Sequence, residues 1–169
     1  FEMDGTLLQG RFIQELAHRT GHEEALAQYL DRYDLSPESR TRKIAQIFRG
    51  VPRAIFERAA RELPLTQGAV ETVVGLRKLG FRVAVVTDSY HVAAETVRRR
   101  VFADLALANV LEFRRGKATG EVTLAPTMRG NRQGRLAYDK LNTLRFLVDR
   151  MGIRVRDVLA VGDGENDVG

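Results

Sequence analysis

The chain has 169 residues, about one domain's worth, and its 44% hydrophobic and 29% charged side chains can build a core and keep it soluble. That balance excludes disorder as a whole-chain description, and the absence of cysteine excludes disulfides, thiolate metal sites and a cysteine nucleophile. Lysine and arginine exceed aspartate and glutamate by 27 − 22 = 5, which permits an anionic partner, although the basic residues are scattered as on a solvated surface. No apolar run approaches the ~18 residues of a membrane helix, so no membrane partner is expected.

Taken in chain order, Phe12, Ile13 and Leu16 predict a helix over 11–19, stopped by Gly21. Leu26, Tyr29 and Leu30 predict another over 23–33. Ser36-Pro37 reads as a helix start, the serine capping and the proline in the first turn. A fourth helix runs from Pro52 toward Leu63, where Pro64 ends it. Residues 11–64 therefore form a basic, wholly helical insert. From Gly68 the grammar changes. A helix over 70–79 leads to a β-branched strand over 81–86, closed by the polar turn Thr87-Asp88-Ser89. A helix over 92–101 follows, then a strand over 105–110, a hairpin signal at Arg115-Gly116-Lys117 and a returning strand over 122–124. A long amphipathic helix over 138–151 and a final strand over 155–161 complete the pattern, with Phe12, Leu16, Leu144, Phe146 and Leu147 as core residues. Strand and helix in alternation predict an α/β fold, a doubly wound and mostly parallel sheet with helices on both faces. Both termini fall on strand-to-turn junctions, Phe1–Thr6 and 161–169, so the chain is expected to be truncated at both ends.

Ligands of such sheets bind at the carboxyl ends of the strands. Three strand ends here carry Glu2 and Asp4, Thr87 and Asp88, and Asp163 and Asp167. Singly these are ordinary turn residues, but converging carboxylates repel one another unless a hard cation bridges them, and oxygen ligands of this kind suit Mg²⁺. Magnesium suits phosphate, and Lys140 before the last strand offers a phosphoryl group its positive charge. His18, His22 and His91 show no metal-ligand grouping. Arg98-Arg99-Arg100, with no interleaved aromatics, reads as a solvated helix face and disfavours nucleic acid as partner.

The run Met3-Asp4-Gly5-Thr6-Leu7, then Val85-Val86-Thr87, then Lys140, then Gly162-Asp163-Gly164-Glu165-Asn166-Asp167 resembles the haloacid dehalogenase superfamily of phosphohydrolases, in its phosphoserine phosphatase-like branch. The resemblance spans nearly the whole chain. The helical insert directly after the first motif and Ala108-Asn109 before the Gly116 hairpin also resemble that branch. It implies a Rossmann-like core over 1–10 and 65–169 and a helical cap over 11–64. It further implies Mg²⁺-dependent hydrolysis of a small phosphorylated metabolite through an acyl-phosphate intermediate, in a cytoplasmic protein. By the same resemblance Glu2 is nucleophile and metal ligand, while Asp4 is acid and base with its carbonyl on the metal. Thr87, Lys140 and Asn166 hold the phosphoryl group, Asp163 ligates Mg²⁺, and Asp167 orients the metal's surroundings.

Three positions depart from that pattern. Glu2 stands where the family keeps aspartate, adding a methylene that moves the carboxylate by ~1.5 Å, enough to matter where ~1 Å can cost about 10²-fold. Arg11 stands where phosphoserine phosphatases keep a glutamate for the substrate's ammonium group, so a substrate-binding Arg11 favours anions. Asp88 adds a carboxylate to a turn that usually carries glycine. Glu2 also leaves open a module that binds Mg²⁺ and phosphate without turnover. A third reading, a polynucleotide phosphate end, rests on charge alone. Nothing in the sequence speaks to oligomeric state.

Overall fold

The computed structural model describes residues 1–30, 32, 34–132, 135–138 and 140–163. Four helices come first: α1 (Phe12–Thr20), α2 (Glu23–Leu30), α3 (Pro37–Ile47) and α4 (Arg53–Glu62). Gly21 terminates α1 in the left-handed conformation, and the Ser36 hydroxyl accepts from the Ser39 amide at 3.2 Å to open α3. Then follow α5 (Ala69–Lys78), β1 (Ala84–Tyr90), α6 (His91–Val101), β2 (Leu105–Arg114), β3 (Lys117–Thr123), β4 (Arg129–Arg132), β5 (Arg135–Tyr138) and α7 (Lys140–Met151).

Strand β1 pairs parallel with β2, and β2 antiparallel with β3. The Arg115–Gly116 loop has φ of 51° and 76°, as a two-residue hairpin requires. Beyond β1 the sheet continues through segments too short to count as strands. The Phe1 nitrogen donates to the Ala84 carbonyl (2.8 Å), and the Phe1 carbonyl accepts from Val86 (2.8 Å), a parallel pairing. The Glu2 amide then donates to the Val161 carbonyl (2.9 Å). Residues 1–2 thus lie between β1 and the segment ending at Val161, and the carboxyl ends of all three meet at one edge.

The helical insert is packed into the same core. Phe12, Leu16, Phe48 and Phe56 are fully buried, and Phe56 meets Tyr90 and Phe113 edge to face, with ring centroids 6.4 and 5.2 Å apart. Helix α4 lies on α6, where Arg100 donates to the carbonyls of Ala60 (2.7 Å) and Leu63 (2.8 Å). Backbone bonds also tie the end of α3 to the hairpin, from Gly50 to Ala118 (2.8 Å) and from Ala118 to Val51 (2.9 Å).

Several boundaries differ from the sequence reading. The first internal strand begins at Ala84 rather than 81, because Asp104 takes the Val83 amide at 2.8 Å and leaves Phe81 46% exposed. It runs through the expected turn to Tyr90, with a register shift between Val86 and Tyr90. Hairpin pairing carries β2 to Arg114. Tyr138 pairs with Arg129 in a hairpin whose residues show no alternation of polarity, so the long helix starts at Lys140. The β-branched residues of 155–161 spell a strand, yet Val155–Asp157 closes into a short 3₁₀ turn. Phe146, expected in the core, is 45% exposed, while Leu144 and Leu147 are half-buried and line an apolar cavity of about 340 Å³ between α7 and the sheet. Arg100 serves α4 instead of water. Among the described residues no helix is long and apolar enough to cross a membrane.

Candidate active site

Glu2 ends the extended segment and Asp4 lies two residues on, where the chain turns, and both line one cavity. Glu2 is 7% exposed, held between β1 and Val161, and its carboxylate meets the ammonium of Lys140 at the start of α7. The Asp4 carboxylate accepts from the Phe12 amide at 2.8 Å, which ties it to the first turn of α1. Asp163 follows the extended segment beside Glu2, and the Thr6 hydroxyl donates to its Oδ1 at 3.0 Å. Gly5, at φ +74°, makes room for Asp163, because a Cβ there would collide with that carboxylate.

These groups face one cavity of about 250 Å³ at the sheet edge, and the insert forms its opposite wall. Glu2, Asp4, Asp88, Lys140 and Asp163 line the sheet side; Arg11, Arg40 and Thr41 line the insert side. Thr87 is fully buried and lies off this wall, its hydroxyl oxygen accepting from the Ser89 amide at 3.2 Å. Asn109 holds the same segment in place, donating to the Asp88 carbonyl (2.6 Å) and accepting from the Ala125 amide (2.8 Å). Asn166 and Asp167 lie outside the described residues.

Burial dominates the electrostatics of the site. It pushes the Glu2 carboxyl above its ordinary range, against the opposing pull of Lys140 and with a further push from Asp88. It pushes Asp4 up to about 7; the Phe12 amide opposes this, and the charges of Glu2 and Asp88 add to it. Both carboxyls are thereby raised: Lys140 partly offsets the rise at Glu2, while Asp4 is able to carry a proton near neutrality. Such a pair can divide nucleophilic and acid–base work.

Sequence reasoning missed Ser89, Tyr90, Arg40 and Thr41 as wall residues. Arg40, Thr41 and Ile44 share one face of α3 by helical spacing, and that signal was available. The basic pair Arg42 and Lys43 turns elsewhere: Arg42 donates to the Val122 carbonyl (3.2 Å), and the Lys43 ammonium lies 5.7 Å from the centre of the Tyr29 ring.

The fold and the acidic sheet edge define a class. Residues 1–169 match the family model for haloacid dehalogenase-like hydrolases, and the chain belongs to that family. Within it, the chain is 30% identical over 171 residues to the phosphoserine phosphatase of Methanocaldococcus jannaschii, covering 99% of this chain and 77% of that protein. It is 28% identical over 172 residues to the phosphoserine phosphatase of Archaeoglobus fulgidus, again over 99% of this chain but only 47% of the relative's length. A solved structure described as a phospho-aspartyl intermediate analogue of phosphoserine phosphatase superposes with a TM-score of 0.81 at 30% identity, over 99% of this chain and 78% of that one.

Proposed function

We propose that this chain is a Mg²⁺-dependent phosphomonoesterase acting on a small phosphorylated metabolite through an acyl-phosphate on Glu2. In this reading residues 11–64 are the cap over a core of 1–10 and 65–169. The observation that carries it is the meeting of Glu2, Asp4, Lys140 and Asp163 around one cavity at the carboxyl edge of the sheet. The named relatives and the solved phospho-aspartyl analogue support the same chemistry for a carboxylate in this fold.

The Glu2 carboxylate attacks phosphorus, the ester P–O bond breaks, and the Asp4 proton passes to the departing alkoxide. Water then gives a proton to Asp4 and attacks phosphorus, and the bond to Glu2 breaks to release phosphate and restore both carboxyls. Lys140 serves both steps, favouring the charged form of Glu2 against its burial and offering its ammonium to the phosphoryl oxygens.

The donor set around the cavity is oxygen, which fits a hard divalent cation, and Mg²⁺ is ordinarily bound through one or two carboxylates with water and substrate phosphate. Glu2, Asp163 and the Asp4 carbonyl would hold it. When bound, the ion would neutralise charge on the phosphoryl oxygens.

The test is hydrolysis of small phosphomonoesters with Mg²⁺, with EDTA and in Asp4→Asn. Turnover that EDTA abolishes and Asp4→Asn lowers by about 10²-fold or more supports the proposal. Ligand binding with turnover appearing only after Glu2→Asp would overturn it in favour of a non-catalytic module.

A further inference from the structure

The insert side of the cavity presents Arg11, from the residue ahead of α1, and Arg40, from α3, beside the apolar Ile13, Leu30 and Ile44. Neither arginine has an ion pair among the described residues, whereas Arg19, Arg32 and Arg53 of the same insert each hold a carboxylate. The acidic side chains that line the cavity all sit on the sheet side, at Glu2, Asp4, Asp88 and Asp163.

We infer that Arg11 and Arg40 form a subsite for a second anionic group, so that the preferred substrate is a short phosphomonoester with another acidic group and no amine. This rests on the phosphomonoesterase reading, which places the phosphoryl group against Glu2 and Lys140 and leaves the rest of the substrate facing the insert. A cavity of about 250 Å³ suits a molecule of a few carbons. Two guanidinium groups select for carboxylate or phosphate, and an ammonium group facing them is repelled.

Four probes of similar size separate the possibilities: a phosphorylated hydroxy acid, a bisphosphate, an uncharged alcohol phosphate and O-phosphoserine. Each is measured by kcat/KM and by calorimetric Kd, so that a protein without turnover still reports its preference. The hydroxy-acid phosphate or the bisphosphate should exceed the alcohol phosphate by about tenfold or more, the scale of one charge-assisted hydrogen bond, and should exceed phosphoserine. The better of the two anionic probes names the second group as carboxylate or phosphate. Arg11→Gln and Arg40→Gln should each erode that margin, chiefly through KM. Both variants should leave Tm within about a degree of the parent, since neither arginine holds an ion pair among the described residues. Equal use of all four probes, or phosphoserine as the best in both readouts, overturns the subsite while leaving the phosphatase reading standing. Absence of all turnover overturns the phosphatase reading, and the order of Kd values then decides the subsite.

Discussion

Gly5 and Asp4 sit side by side and constrain the site in different ways. Gly5 combines a φ of +74° with the close approach of the Asp163 carboxylate. Gly5→Ala should therefore cost about 1–3 kcal/mol of stability from backbone strain and also displace Asp163. Urea unfolding reads the first effect, and a higher Mg²⁺ concentration for half-maximal hydrolysis reads the second. A Gly5→Ala variant of unchanged stability and unchanged Mg²⁺ dependence would contradict both. Asp4 has a sign of its own. Its carboxyl is raised from 3.8 to about 7, so the folded metal-free protein holds a proton that the unfolded chain releases. The stabilisation is fully present below pH 3.8, declines as pH rises and is lost above about 7. Asparagine keeps an oxygen for the Phe12 amide and removes the charge. In EDTA, Asp4→Asn should accordingly gain Tm relative to the parent between about pH 5 and pH 8. A difference that stays flat across that range, or reverses, would show that Asp4 is not desolvated.

Among the elements, the α4–α6 contact joins the insert to the sheet layer. Arg100 reaches from α6 to two carbonyls at the end of α4, and burial draws its pKa down. Arg100→Met keeps much of the length but leaves both carbonyls without this donor, at about 1.5–3 kcal/mol for hydrogen bonds to a charged group. Denaturant midpoints of parent and variant measure that loss, and a change under ~0.5 kcal/mol would mean that water replaces the guanidinium at no cost. The sequence could not show this role, because a run of three arginines looks like any solvated face and only the tertiary fold brings Ala60 and Leu63 beneath one of them. Elements with strong local chemistry were legible. Ser36-Pro37 opens α3, Gly21 closes α1, and Arg115-Gly116 makes the hairpin turn, each for a reason contained in a few residues. The β4–β5 hairpin, the late start of α7 and the 3₁₀ turn at Val155–Asp157 were not legible. Each depends on which backbone groups find partners, and the apolar pattern there points to another element.

For the whole molecule, the site was legible as a convergence of distant strand ends, and the structure brings Glu2, Asp4, Lys140 and Asp163 to one cavity. What stayed hidden was the opposite wall, since Arg40, Thr41 and Tyr90 acquire meaning only once the insert folds over the sheet edge. The same packing puts the carboxylates and Lys140 on one side of the cavity and Arg11 and Arg40 on the other. The central claim is that Glu2, one methylene longer than the aspartate of the resembled pattern, is the group that takes the phosphoryl. The most direct test is acid quenching of the protein during turnover of a small phosphomonoester in Mg²⁺, followed by peptide mass spectrometry and hydroxylamine treatment. One phosphoryl group should appear on Glu2, released by hydroxylamine as an acyl-phosphate should be and absent from Glu2→Gln. Turnover without any label on Glu2, or a label that persists in Glu2→Gln, would contradict it.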